Sequence, residues 1–236
     1  MPSILAPFLL LTLHLEVSWV YDIRFIYVHP KDWYCSVNLE DKRDVIEYPI
    51  VDDIDINGWD IRKALKLFSK SNPAVVEWLQ SPIVYIDDEH FSVKARELIS
   101  SIYAHEKGIY HYRSMAKKNY REHLQRDNVS LKKYFYVLRP LLAIRWIEKY
   151  YEPAPIVFEA LRVLIADNKP LDGAISDLLR RKKMSLEKEF ISPIPVINAF
   201  IESELARLEH YAGTSNEKNS GFDQLNALFL SVLNKY

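Results

Sequence analysis

Acids and cations are segregated along this 236-residue chain. Asp22 lies in the apolar and aromatic stretch SWVYDIRFIYVHP, residues 18–30, and in an extended chain it shares a face with Val20 and Arg24. Residues 40–60 hold eight acids, Glu47, Asp55 and Asp60 among them, against Lys42 and Arg43, a balance of −6. Residues 107–149 hold eleven Lys or Arg against three acids, a balance of +8. Carboxylates hold divalent cations, and Lys and Arg hold phosphates, so this division suits metal-dependent phosphoryl transfer. In GIYHYRSMAKKNYREHLQ, Arg113, Lys117 and Arg121 fall at i, i+4 and i+8 and line one helix face, with Tyr110 and Tyr120 close by. Lys132, Tyr136 and Arg139 share a face of the next helical segment by the same geometry. Two such faces would suit a nucleoside triphosphate or a strand of RNA, the rings offering stacking surfaces. Charge runs on helices are also commonly solvated faces, and tyrosines at helical spacing are commonly core.

The elements that must carry these residues are legible in outline. YDIRFIYV and RDVIEYPIV are rich in β-branched and aromatic residues and read as strands, and PIVYI, residues 82–86, reads as a third. Between them, DINGWDIRKALKLFSK places Ile61, Ala64, Leu65 and Phe68 at helical spacing. Asn72 with Pro73 behind it reads as the cap and first position of another helix. Beyond that, apolar spacing predicts helices over 90–103, 108–125, 131–151, 156–167, 171–183, 195–211 and 223–235, with Ser130 an N-cap. The expected organisation is an atypical apolar segment 1–20, an α/β core 21–88 and an α-helical domain 89–236, with GTSNEKNSG, residues 213–221, a flexible linker.

Composition narrows the classes. With 49% hydrophobic residues the chain can fill a sizeable core. A net charge of −1 means that any attraction to nucleic acid must come from local clustering. Cys35 is the lone cysteine, which excludes an internal disulfide and argues against a cysteine-rich zinc site; a cytoplasmic location is expected. No second ligand stands at zinc spacing from His29, His111 or His123. The apolar run in MPSILAPFLLLTLHLEV lacks the basic residues before it and the cleavage pattern after it that a signal peptide needs, and it is too short to span a bilayer. A buried strand, a helix or an unsettled tail are the readings left for it.

The blocks YDIRFIYVHPKDWY, RDVIEYPI, DINGWDIRKALKLFSKSNPAVVEWLQSPIVY, YHYRSMAKKNY and LKKYFYVLRPLLAIRWIE, in order from Tyr21 to about Arg207, resemble the YcgL-type predicted nucleotidyltransferases, also called the RNA repair pathway DNA polymerase β family. The resemblance implies an α+β fold: a polymerase β-like nucleotidyltransferase core with a mixed sheet, incomplete at its N-terminus, followed by an α-helical domain. It implies Mg²⁺-dependent transfer of a nucleoside monophosphate from a nucleoside triphosphate to an RNA or small-molecule acceptor, and no membrane partner. In that superfamily a Gly-Ser turn approaches the triphosphate, and an Asp-x-Asp pair with a third acid on a neighbouring strand holds two Mg²⁺ ions. Here the first glycine is Gly58, and Val20 stands where the first aspartate belongs; Asp22 matches the second. Asp55 is the expected third acid and second metal ligand beside Asp22, with Glu47 the alternative catalytic acid. Lys63, Arg113, Lys117, Lys132, Lys133 and Arg139 are the expected phosphate contacts. A missing ligand implies that transfer is impaired or absent. The alternative is a non-catalytic nucleotide- or RNA-binding protein that uses the basic helical half.

Overall fold

The computed structural model describes residues 8–14, 21–184, 189–211 and 221–236. Val20, most of the apolar N-terminal segment's flanks and residues 213–220 of the expected linker lie outside them. The described residues form two compact units, one of 8–14, 21–104 and 221–236, the other of 105–184 and 189–211.

A five-stranded mixed sheet organises the first unit, in the order β3-β4-β2-β1-β5. β1 is Phe8–His14, β2 Tyr21–Tyr27, β3 Val45–Glu47, β4 Ile54–Asp60 and β5 Val84–Asp87. β1 pairs antiparallel with both β2 and β5, so the apolar N-terminal run supplies an inner strand. An uninterrupted apolar run carries no alternation, which is why its pattern alone leaves strand and helix open. β2 and β4 run parallel, and β3 closes the far edge antiparallel to β4.

Apolar spacing predicts a helix through most of DINGWDIRKALKLFSK; its first part is instead β4. The short helix α1 is Lys31–Tyr34, and α2 begins only at Ile61 and runs to Ser69. Asp60 sets that start, its carboxylate accepting from the Arg62 backbone N–H at 2.8 Å. α3, Pro73–Leu79, starts as expected, with the Asn72 side chain accepting from Ala74 N–H at 2.9 Å and Pro73 in the first turn. α4 is Glu89–Glu97 and α5 Ile99–Ile102. The core of this unit joins Leu10 and Ile26 of the sheet to Ile61, Phe68, Leu79 and Phe91 of the helices.

The second unit is helical: α6 His105–Asn119, α7 Leu131–Tyr150, α8 Phe158–Leu161, α9 Lys169–Met184 and α10 Pro195–Glu209. Ser130 occupies the N-cap position of α7 but makes no capping bond through its side chain. Two short strands, β6 Val129–Ser130 and β7 Phe190–Ile191, pair antiparallel beside it. α7 is apolar around most of its circumference because it is the central element, with Tyr134, Val137, Leu138, Leu141, Leu142 and Ile144 all fully buried. The last helix, α11 Phe222–Leu233, belongs to the first unit. There Leu225, Leu228 and Val232 join the core, and Lys235 and Tyr236 hydrogen-bond Asp88 at 2.8 and 2.7 Å. The sheet-bearing unit thus continues past residue 88, where the sequence reading placed a boundary, to Ala104, and takes in the final helix, since α4, α5 and α11 bury their apolar faces in its core. Among the described residues no helix is long and apolar enough to cross a membrane.

Candidate functional site

Parallel register between β2 and β4 sets Asp22 directly beside Asp55 and Arg24 beside Asn57. Paired residues point to the same face of a sheet, so these four side chains share one face, and Glu47, opposite Asn57 on β3, joins them. The other face carries Phe25 and Gly58, a pair whose ring-over-glycine packing lets the two strands lie side by side.

Asp22 and Asp55 are held together by Arg24. Its Nη2 donates to Asp55 Oδ2 at 2.8 Å and to Asp22 Oδ1 at 3.3 Å. Its Nη1 donates to the carbonyls of Ile23 and Asp55, both at 3.1 Å. The three side chains are 18–30% exposed, so their charges are partly desolvated and the pairing is stronger than that of a surface ion pair. Two carboxylates and one guanidinium leave a net charge of −1 at this point of the sheet.

That arrangement can be tested against Mg²⁺. A two-metal centre needs several carboxylate oxygens turned to a common point with positions left for substrate oxygens. Here a fixed cation already donates into both acids. Among the described residues no group of three or more His, Cys, Asp or Glu stands where it could hold a metal ion. Val20, at the position expected from the resemblance to hold the remaining acid, lies outside the described residues. These residues do not fit a two-metal centre.

The other expected site residues are dispersed. Glu47 is largely exposed and accepts from Asn57 Nδ2 at 3.2 Å and Arg43 Nη2 at 3.1 Å, not from Arg24. Lys63 pairs with Asp44 at 3.0 Å. In the second unit, Arg113 donates to the carbonyl of Glu209 at 3.1 Å, which ties it to the end of α10. Lys117 is exposed. Lys132 and Lys133 both stand over the Tyr136 ring, 5.7 and 4.6 Å from its centroid, and burial, then the neighbouring Lys132 charge, holds Lys133 below the usual lysine range. Arg139 was expected to reach phosphate; it is 7% exposed, among the core side chains of α7, which takes it out of reach of a ligand in solvent.

Asp60 escaped the sequence reading, which counted it only within the acidic segment. It is 1% exposed, caps α2, and accepts from the Tyr34 hydroxyl at 2.6 Å. Burial raises its pKa, and the bonds from Tyr34 and the α2 backbone only partly offset that. The available signal was an aspartate immediately before an apolar helical period, the signature of a cap.

A family model described as the RNA repair pathway DNA polymerase beta family, RlaP, matches residues 19–231 of the chain. Among curated proteins, the chain is similar to the uncharacterized protein YcgL of Bacillus subtilis (strain 168), with 42% identity over 214 residues that cover 90% of this chain and 82% of that protein. Among solved structures it is similar to a nucleotidyltransferase-like protein from Exiguobacterium sibiricum 255-15, with a TM-score of 0.37 and 11% identity over 96% of this chain and 82% of that one, too distant a likeness to argue from.

Proposed function

Because this chain belongs to the RNA repair pathway DNA polymerase beta family, we propose that it is a nucleotidyltransferase-like protein whose Mg²⁺-dependent transfer of a nucleoside monophosphate to an RNA or small-molecule acceptor is impaired or lost. The observation that carries this reading is Arg24 donating to both Asp22 and Asp55. Transfer in this superfamily depends on carboxylates that gather two metal ions around the reacting phosphate. With Val20 where the resemblance puts one acid and the other two engaged by a guanidinium, no such set stands among the described residues.

A second reading has its own support in Lys132 and Lys133, which stand over the half-buried ring of Tyr136, with Lys117 open to solvent on α6. Cations beside an aromatic ring suit a phosphate and base of a nucleotide or RNA, and such binding needs no metal.

One experiment separates the two. The purified chain is incubated with Mg²⁺ and each labelled nucleoside triphosphate, with RNA as acceptor, and both transfer and filter retention are scored. The expected result is no transfer above background. Transfer that disappears in Asp22→Ala would overturn the proposal. Retention that falls steeply with salt and persists in Asp22→Ala supports the binding reading, and no retention at low salt ends it.

A further inference from the structure

Apart from the acid pair, the first unit holds a cavity of about 250 Å³ between α2 and α11. Its apolar lining is Leu65 of α2 with Phe222, Leu225 and Phe229 of α11, beside the amide of Asn226. Its cations are Arg62 and Lys66, which lie one turn apart on α2 and so present their charges together. Both groups are positioned from behind by the same buried acid. Asp60 fixes the start of α2 at the Arg62 backbone, and it also accepts from Tyr34, whose ring meets Phe229 edge-on at 5.1 Å. A second, smaller concavity opens on the same two cations, where Lys42 and Lys63 are balanced by Glu40, Asp44 and Asp60.

Glu40, which lines that smaller concavity and not the cavity itself, already holds a carboxylate against the two cations that the concavities share. One of its carboxylate oxygens accepts from Arg62 and the other lies 3.7 Å from Lys66. Its side chain is 73% exposed, so this contact is screened by water and readily exchanged. We propose that the cavity binds a small organic anion with an aromatic body: the anionic group displaces Glu40 from Arg62 and Lys66, and the ring lies against Phe222 and Phe229. The volume suits one ring and one charged group, since sites for larger ligands run from about 300 to 1,000 Å³. Guanidinium and ammonium donors a helical turn apart serve a carboxylate or a phosphate alike, and the aromatic wall selects against the bare inorganic ion.

Phenyl phosphate, benzoate, inorganic phosphate and phenol are titrated into the ¹⁵N-labelled chain and followed by chemical-shift mapping. Phenyl phosphate is expected to bind about tenfold more tightly than either inorganic phosphate or phenol, with shifts in α2 and α11, because it alone engages both groups of the cavity. Benzoate binding as well as phenyl phosphate would assign the site to carboxylates and phosphates together; benzoate without effect would restrict it to phosphates, and either result upholds an aromatic anion. Arg62→Gln and Lys66→Gln, checked for native amide dispersion, should each weaken phenyl phosphate about tenfold by removing a charge-assisted donor. Glu40→Gln should tighten it, since the internal competitor is gone. The proposal fails if both cation variants bind like the parent chain, if inorganic phosphate binds as tightly as phenyl phosphate, or if Glu40→Gln weakens binding.

Discussion

Gly58 is where a single hydrogen decides how two strands meet. A Cβ built on it would come within 2.1 Å of Phe25 Cε2 and 2.2 Å of Cζ. Phe25 is 2% exposed and faces Gly58 across the parallel pair, so its ring lies over the glycine and has little room to move. Alternation in the sequence was enough to put Asp22 and Arg24 on one face of β2, but it could not show which residue of another strand stands opposite each. Register belongs to the packed sheet, so the Arg24 bridge to Asp55 and the Phe25–Gly58 contact were both hidden, although every residue involved was in view. An alanine at Gly58 must push the ring aside or part the strands, and overpacking of this kind costs about 1–3 kcal/mol. Urea unfolding of Gly58→Ala should show that loss, and Phe25→Leu in the same chain should restore part of it by making room. If the two substitutions simply add, the clash is not the cause.

At the level of elements, helices were easier to read than strands. α7, α9, α10 and α11 begin and end within about two residues of the spans that apolar spacing predicts, because a helix writes its buried face into its own sequence. Strands depend on partners. β4 lay hidden because its seven residues run straight into α2, and β1 because an apolar run has no period to read. Yet β1 is the element on which the sheet's continuity depends, since it alone joins β2 to β5. Leu10 is its anchor, 1% exposed and paired with Ile26 on one side and Asp87 on the other. Leu10→Ala is expected to cost about 2–5 kcal/mol, the range for a large-to-small change in a packed core. Hydrogen exchange should then quicken in both β2 and β5. Faster exchange confined to one of them would mean that β1 does not tie the two together.

For the molecule as a whole, local charge counts misjudged how the cations are used. A net charge of −1 hides a basic tract of +8, which suggested a binding surface, but Arg113, Arg139 and Arg145 of that tract are engaged within the helical unit. Arg145 and Arg207 converge on Glu204, which is 2% exposed, with hydrogen bonds of 2.8–3.0 Å; Arg207 also binds Glu148. Arg145 and Glu204 are 59 residues apart, so no window of sequence pairs them. Burial is the largest influence on Glu204 and raises its pKa, but the bonds and charges of Arg145 and then Arg207 together outweigh it and hold the carboxyl below the usual glutamate range. A folded pKa below the unfolded one, about 4.3, gives stability that is present above that pH and lost as pH falls through the folded value. Glu204→Gln keeps the shape and removes the charge, leaving two guanidiniums that are 35% and 42% exposed and so partly solvated. The expected loss is therefore about 1–3 kcal/mol near pH 7, less than for a fully buried pair. Urea titrations from about pH 8 down to about pH 3 should show the difference from the parent chain narrowing with acid, because below the unfolded value the parent's unfolded state takes up a proton that its folded Glu204 resists. A difference that stays constant over that range would place the loss in packing around the glutamine and not in the charge.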